Sequence, residues 1–220
     1  MAQDSDRSGR AAAWLLVGLG NPGAEYALNR HNIGFLALDH AAERWGQRPS
    51  DFRAKFGSDL LQVDYGRGAS RTRLILQKPL RYMNVSGGPV QEARAFFRIE
   101  PANLIVLHDD IDLPTGRVKV KKGGGHGGHN GLRSISQALG PDYLRVRGGV
   151  GRPGGAAGQG EKKTEGKQDR VVGHVLGNFN RSEQKDLPLQ LDTMVDAIED
   201  IIDHGVEHAM NRFNGDGPDR

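Results

Sequence analysis

The sequence predicts an α/β protein in which helices cover a β-sheet. Short apolar runs of strand length alternate along the chain with segments whose apolar residues recur at helical spacing, which is typical of the α/β class. The length of 220 residues suits one large domain better than two small ones. A hydrophobic content of 36% and a mean hydropathy of −0.57 are low for a compact core, but not low enough for a chain that is disordered throughout.

The first half of the chain contains three predicted strand segments and two predicted helices. In order, these are strand 11–19, helix 33–45, strands 52–63 and 72–78, and helix 86–99. The first strand runs into the turn GNPG. The second helix is entered through Ser86 and has Pro89 in its first turn, where a proline removes no intrahelical hydrogen bond.

The second half repeats this alternation and ends in a long helix. The predicted elements are strands 103–110 and 117–121, helix 130–139, strand 143–151 and helix 182–213. The strand at 103–110 is apolar until it ends in acids, which predicts burial. Apolar residues form one stripe along the last helix, and Gly205 is a candidate interruption of it.

The predicted boundaries give one domain with two loose ends. Residues 1–10 are predicted to be a flexible polar tail, 11–213 the domain and 214–220 a flexible C-terminus. Within the domain, the stretch 152–170 is rich in glycine and lysine and has no apolar periodicity, so we expect a mobile loop there.

Composition excludes several function classes. There is no cysteine, so disulfides, thiolate zinc sites and cysteine nucleophiles are absent. No apolar run approaches 18 residues and the first residues lack a signal-peptide core, so we expect a cytoplasmic protein without a membrane partner. The formal charge of +3 with a sequence pI near 9.3 permits nucleic-acid binding without requiring it.

The glycine-rich segment at 121–132, KKGGGHGGHNGL, is the most unusual part of the sequence. Six of its first eleven residues are glycine, and two histidines and an asparagine lie among them. Glycine is costly to order and is used where the backbone bends sharply or approaches something closely. The segment is therefore a candidate metal loop, phosphate cradle or mobile clasp beside an active site.

The motif GLGNPG at 18–23 matches a dinucleotide-binding fingerprint, with Asp39 about 20 residues further on. Two features argue against that interpretation. Pro22 lacks the amide that a pyrophosphate would use, and the stretch before Asp39 has helical periodicity. We interpret the motif as a tight turn that holds Asn21 at the carboxyl end of the first strand, where open α/β sheets bind ligands.

A histidine and an acid form a candidate catalytic pair. His31, in NRHN, follows the Asn21 turn and opens the next helix, while Asp109 is the first acid after an apolar strand. A carboxylate that accepts the ring N–H orients a histidine as a general base. Asp109 could instead take part in a metal site with His126 and His129. Asp110 and Asp112 are readily explained as turn residues.

Amides and cations complete the set of candidate residues. Asn84 precedes a helix, where it is either a plain cap or a donor to a carbonyl oxygen. Arg117, Lys119 and Lys121 alternate with valines and so share one strand face, and Arg147 lies on a later strand. This row is either a solvated face or a track for a phosphate backbone. Motifs of serine hydrolases, zincins and P-loop proteins are absent.

Four blocks in this order resemble the bacterial-type peptidyl-tRNA hydrolase family. They are GLGNPGAEYALNRHNIGF, KPLRYMNVSGGPV, HDDIDLPTGRVKVKKGGGHGGHNGLRSI and RVRGGVGRP, and the similarity runs from about residue 14 to about 212. The resemblance implies a single α/β domain with a twisted, mixed β-sheet flanked by helices. Two departures from the family pattern are the insert at 154–168 and a longer N-terminal tail.

The resemblance also implies an activity, hydrolysis of the ester that joins a peptide to tRNA, which recycles tRNA from abortive translation. It assigns catalytic roles to His31, Asp109 and Asn21 and substrate-binding roles to Tyr26, Tyr82, Asn84 and Asn130. Tyr82 stands where the family often has phenylalanine. We assign tRNA binding to Lys119, Lys121 and Arg147.

These residues support a mechanism that needs no cofactor and no metal, in a protein expected to be a monomer. His31, oriented by Asp109, takes a proton from water, and the amides bind the carbonyls and the oxyanion. Two other functions remain open. One is an RNA-binding module, since chloroplast intron-splicing factors are similar to this family. The other is a metal-dependent hydrolase built on HDDID and HGGH.

Overall fold

The computed structural model describes residues 13–68, 71–153 and 167–215. In this part of the chain one mixed sheet is formed by the strands β1 (Trp14–Gly18), β2 (Arg53–Lys55), β3 (Ser58–Tyr65), β4 (Thr72–Pro79), β5 (Leu104–Asp110), β6 (Val118–Lys122) and β7 (Leu144–Gly149). It is flanked by the helices α1 (Ile33–Arg44), α2 (Gly87–Phe97), α3 (Asn130–Leu139), α4 (Lys167–Val175), α5 (Arg181–His204) and α6 (Val206–Asn214). The predicted α/β class with a mixed sheet is confirmed.

The sheet has a parallel centre and antiparallel edges. The strand order is β2-β3-β4-β1-β5-β7-β6, in which β4, β1, β5 and β7 run parallel. The hairpin β2-β3 and the edge strand β6 run antiparallel to their neighbours. The carboxyl ends of β1 and β5 therefore meet at one edge of the sheet, where the GNPG turn and the acids of HDDID follow.

Two apolar cores lie on opposite faces of the sheet because successive strand residues point to opposite sides. Leu16 of β1 belongs to the core under α1 and α5, which also contains Ile198. Its neighbours Leu15 and Val17 belong to the core under α2 and α3. Both faces are covered, which explains why the central strands read as continuous apolar runs.

Helix α1 approaches the sheet unusually closely at its first turn. A Cβ atom on Gly34 would clash with the backbone oxygen of Leu107 in β5, and one on Gly18 would clash with the backbone oxygen of Gly34. Glycine at these two positions therefore brings the start of α1 down onto the ends of β1 and β5. The turn that carries His31 immediately precedes this contact.

Several predicted boundaries differ from the structure. The segment predicted as one strand at 52–63 is a hairpin, because Phe56 and Gly57 both adopt positive φ, at 54° and 60°. Residues 167–170, predicted as part of the loop 152–170, begin α4, and residues 154–166 lie outside the described residues. The predicted tail at 1–10 also lies outside them, whereas the predicted C-terminal tail 214–220 begins with Asn214, the last residue of α6, and residues 216–220 lie outside the described residues. Gly205 separates α5 from α6, as expected.

The last helix covers an edge of the sheet. The side chain of Asn214 accepts a hydrogen bond from the backbone N–H of Val120 and donates one to its carbonyl oxygen, both at 2.8 Å. These are the bonds that a neighbouring strand would make with β6. None of the helices in the described ranges has the length and apolar character needed to cross a membrane.

Candidate active site

A cleft of about 1120 Å³ opens at the carboxyl ends of β1 and β5. Most of the predicted site residues line it, as do four apolar residues of α4 and the turn that follows it. The predicted residues in the lining are Asn21, His31, Tyr82, Asn84, Asp109, Lys121, Asn130 and Arg147. Tyr26 and Lys119 are not among the residues that line the cleft. Sequence segments far apart in the chain therefore meet at one edge of the sheet, where ligands of this fold class bind.

His31 and Asp109 form the centre of the cleft. The Nδ1 atom of His31 lies 2.7 Å from Oδ1 of Asp109. His31 comes from the short 3₁₀ turn Arg30–Asn32 before α1, and Asp109 from the end of β5. The carboxylate is 3% exposed and the imidazole 12% exposed, so the pair is largely shielded while one edge of the ring still faces the cleft.

A second histidine shares the same carboxylate oxygen. The Nε2 atom of His129 lies 3.0 Å from Oδ1 of Asp109. The Nδ1 atom of His129 accepts hydrogen bonds from the backbone N–H groups of Gly131 and Leu132, so that His129 caps the N-terminus of α3. An acceptor nitrogen carries no proton, so we assign to His129 the neutral tautomer that donates from Nε2 to Asp109.

The contacts of Asp109 define the chemistry available to His31. When His31 donates from Nδ1 to the carboxylate, its Nε2 keeps a free lone pair. Burial lowers the pKa of His31, but the negative charge of Asp109 and its hydrogen bond outweigh burial, and the pKa is raised above the usual 6.5. Burial raises the pKa of Asp109, but the two histidines hold it well below its ordinary value. Asp109 therefore stays ionised and favours proton uptake by His31.

His108, beside this pair, is held neutral. Its Nδ1 donates to the backbone oxygen of Asp109 at 2.7 Å. Burial lowers the pKa of His108 to about 3. A neutral ring at this position adds no positive charge that would oppose protonation of His31.

Asn21 is held by contacts on its side chain and its backbone. Its side-chain oxygen accepts from the backbone N–H of Met83 at 2.9 Å, and its backbone is bonded at both N and O to the side chain of Asn32. With the side-chain oxygen engaged, the Nδ2 group of Asn21 is left as the donor toward the cleft. Asn84 and Asn130 line the same cleft and are exposed.

The glycine-rich loop is held from below by a buried arginine. Arg145, which is 2% exposed, donates to the backbone oxygens of Gly125 at 2.7 Å and Gly124 at 2.5 Å. Gly123 and Gly124 adopt positive φ, which suits glycine. The loop therefore turns tightly over Arg145 and delivers His129 and Asn130 to the cleft.

The basic residues lie on neighbouring strands. Lys119 pairs with Arg147 across the antiparallel ladder between β6 and β7, and Lys121 is exposed at the cleft. Arg147 also forms an ion pair with Asp110 at 2.7 Å. Lys121 of β6 and Arg147 of β7 thus both line the cleft, together with the glycine-rich loop.

The same centre could hold a metal ion. Ligand atoms of His31, Asp109 and His129 all lie within 4.8 Å of one another. Of the two loop histidines considered from the sequence, the structure brings His129 to Asp109, whereas His126 is not part of that group and accepts from the backbone N–H of Gly128. Asp39 lies on α1 and pairs with Lys78 at 2.6 Å, consistent with rejection of a dinucleotide site.

Two parts of the site have no counterpart in the sequence analysis. One is the apolar wall that α4 and the turn after it contribute to the cleft, made of Val171, Val172, Val175 and Leu176. The other is Arg30, which forms a partly buried ion pair with Glu183 at 2.6 Å and donates to the last turn of α4 at the oxygen of His174. Arg30 thereby joins the turn that carries His31 to the wall opposite it.

Comparisons with known proteins identify the family of this chain. The family described as peptidyl-tRNA hydrolase matches residues 15–219. A peptidyl-tRNA hydrolase of Frankia alni is 47% identical over 202 residues, which cover 91% of this chain and 93% of that protein. One from Streptomyces avermitilis is 44% identical over 207 residues, covering 92% and 94%. A crystal structure of peptidyl-tRNA hydrolase from Acinetobacter baumannii superimposes with a TM-score of 0.78 at 34% identity, covering 94% of this chain and 97% of that one.

Proposed function

The chain belongs to the peptidyl-tRNA hydrolase family, and from that premise we propose that it cleaves the ester between a peptide and tRNA with His31 as the general base. The observation that carries the proposal is the 2.7 Å contact between His31 Nδ1 and Asp109 Oδ1 inside the cleft. The free peptide and tRNA are the products, so the reaction returns tRNA from abortive translation to use. The proposed setting is the cytoplasm, with the chain acting as a single-domain monomer.

In the proposed reaction, Nε2 of His31 takes a proton from water and the hydroxide attacks the ester carbonyl carbon. Asp109 orients the ring and stabilises the imidazolium that forms. The imidazolium then returns the proton to the ribose oxygen as the tetrahedral intermediate collapses. General-base assistance of this kind contributes about 10² to 10⁴ in rate.

The amides supply the second part of the proposal. The Nδ2 group of Asn21 is the favoured donor to the developing oxyanion, because its side-chain oxygen is already bonded to Met83 and the group cannot turn freely. One such donor contributes about 10² to 10³ in rate. Asn84 and Asn130 are proposed to bind peptide carbonyls at the exposed part of the cleft, with Tyr82, which is 66% exposed, beside them. Tyr26, which does not line the cleft, is proposed to bind the substrate outside it.

The tRNA is proposed to approach over β6 and β7. Lys119, Lys121 and Arg147 offer cations on neighbouring strands beside the loop that carries Asn130. Phosphate contacts of this kind fix the position of a nucleic acid without reading its sequence. The acceptor end would then enter the cleft with its ester near His31.

The test is cleavage of an N-blocked aminoacyl-tRNA by the purified chain, with and without EDTA. The proposal expects hydrolysis at the same rate in both conditions. Binding of tRNA without cleavage would favour an RNA-binding module. Loss of activity in EDTA, restored by added Zn²⁺, would favour a metal-dependent reaction at His31, Asp109 and His129.

A further inference from the structure

A second cluster of one aspartate and two histidines lies away from the cleft, at the junction of α5 and α6. Oδ2 of Asp200 accepts from Nδ1 of His208 at 2.8 Å, and Oδ1 lies 3.4 Å from Nδ1 of His204. The ring centroids of the two histidines are 4.9 Å apart. The carboxylate is 1% exposed, whereas the imidazoles are 58% and 55% exposed. A buried anion thus lies beneath two rings that solvent reaches.

We propose that Asp200, His204 and His208 form a binding site for a divalent transition-metal ion of the Zn²⁺ class. Their ligand atoms lie within 4.8 Å of one another. Tetrahedral Zn²⁺ with bonds of about 2.0–2.2 Å separates its ligands by about 3.4 Å. Oδ1 lies 3.4 Å from Nδ1 of His204 and Oδ2 lies 2.8 Å from Nδ1 of His208, at and just below that value. Small side-chain rotations therefore admit an ion in place of the Nδ1 proton of His208, whose neutral ring then carries its proton on Nε2. Two imidazoles and one carboxylate suit Zn²⁺ and Ni²⁺ better than Ca²⁺ or Mg²⁺.

One neighbouring cation opposes metal binding. Arg212 donates to Oδ1 of Asp200 at 3.0 Å, the same oxygen that faces His204, so its guanidinium competes with an ion for that oxygen. With three protein ligands, water completes the coordination shell of the ion. The site is therefore exchangeable, unlike a closed structural site with four protein ligands.

The proposed ion would join two helices. Asp200 and His204 lie on α5 and His208 lies on α6, on either side of the break at Gly205. Helix α6 ends at Asn214, which is bonded to Val120 of β6. Binding at this junction would therefore stabilise the helix that covers the edge of the sheet, and a ligand that binds only the folded state raises the melting temperature.

The experiment must separate this cluster from the one in the cleft. Zn²⁺ is titrated calorimetrically into the full chain carrying His31→Asn and His129→Asn, which removes two ligands of the cleft cluster. One equivalent is expected to bind. Adding His204→Asn and His208→Asn is expected to weaken binding at least about tenfold, because even indirect partners of a metal ligand change affinity by about 10- to 100-fold. His40→Asn is the matched control, because His40 pairs with a single acid, Asp192.

Three further readouts make the outcome decisive. Arg212→Gln is expected to tighten Zn²⁺ binding several-fold by removing the competing cation. Co²⁺ bound at the site should give the visible absorption of a tetrahedral complex, and that absorption should disappear in the His204→Asn, His208→Asn protein. Those two substitutions in the otherwise unchanged chain should leave hydrolysis of peptidyl-tRNA unaltered. Absence of Zn²⁺ binding in the cleft-disabled protein, or binding unaffected by loss of His204 and His208, would overturn the proposal.

Discussion

The two aspartate–histidine clusters use the same residue types in different surroundings. In the cleft, Asp109 contacts His31 and His129, which are 12% and 9% exposed. At the α5–α6 junction, Asp200 contacts His208 and faces His204, and both rings are more than half exposed. Both carboxylates are buried, and in both the pKa is held down by their partners. The clusters differ in how their histidines are held, not in the carboxylate.

The difference explains why only one cluster suits proton transfer. In the cleft, the cap of α3 fixes the tautomer of His129, and the shared carboxylate then fixes that of His31. At the junction, neither ring caps a helix in the described part of the chain. Arg212 also donates a hydrogen bond to Asp200 and partly neutralises its negative charge. A general base needs one defined lone pair at one position, whereas an exchangeable cation needs only accessible ligands.

The largest expected effect comes from removing the proposed base. His31→Ala should reduce kcat for peptidyl-tRNA by about 10² to 10⁴, because general-base assistance is lost. His208→Ala, in a cluster of similar composition, should leave kcat unchanged. Single-turnover hydrolysis of an N-blocked aminoacyl-tRNA provides the measurement. Near-full activity of His31→Ala would remove His31 from the mechanism.

Asp109→Asn should both slow the reaction and move its pH dependence. In the proposed mechanism neutral His31 is the active form, so activity should fall as the pH drops through the raised pKa of His31. Removing the negative charge of Asp109 leaves burial as the main influence, which lowers that pKa, so the acidic limb should move to lower pH. The rate at the plateau should drop by about 10² or more. An acidic limb that stays in place would mean that another group titrates.

Asp200→Asn should affect stability and leave catalysis intact. The substitution weakens hydrogen bonds to His208 and Arg212 at a buried position and should lower the free energy of unfolding by about 1–3 kcal/mol. Urea denaturation provides the measurement. Asp192→Asn is the control, since Asp192 pairs with His40 at an exposed position and should cost about 0–1 kcal/mol. Equal costs for the two variants would contradict a structural role for Asp200.

The smallest expected effect concerns strand β6, which contacts the cleft on one side and α6 on the other. Lys121 lines the cleft, and its neighbour Val120 is bonded to α6. Replacing Lys119 and Lys121 with alanine should weaken tRNA binding and reduce the slope of log affinity against log salt by about 1 for each phosphate that a lysine no longer neutralises. Lys185→Ala, on the exposed face of α5, is the control. An unchanged slope would make the two lysines ordinary surface charges.

Sequence patterns predict the features that depend on strand ends. His31 contacts Asp109 because the segments that follow β1 and β5 meet at the carboxyl edge of the parallel part of the sheet. Apolar runs and turn residues in the sequence are therefore enough to predict this contact. The hairpin at Phe56 and Gly57 is missed by such patterns. Only these two residues separate β2 from β3, so the segment 52–63 is predicted as a single strand.

Other features depend on side-chain contacts that no local pattern reveals. The role of His129 rests on a cap to Gly131 and Leu132 and on a carboxylate 20 residues away. Arg145 alternates with Arg147 as a surface cation would, yet it is buried beneath the glycine-rich loop. The start of α4 lies in a stretch rich in lysine and polar residues, where composition favours a loop. Long-range partners decide each of these cases.

The bonds of Asn214 to Val120 give the end of α6 a protective role. An uncovered β6 would present free N–H and C=O groups to any other extended chain, including the same strand of a second molecule. The carboxamide of Asn214 occupies the N–H and C=O of Val120, in the middle of this strand. Removing Asn214 and the residues after it would thus expose an edge strand that can pair with another molecule. We expect the first effect to be concentration-dependent aggregation rather than slower turnover.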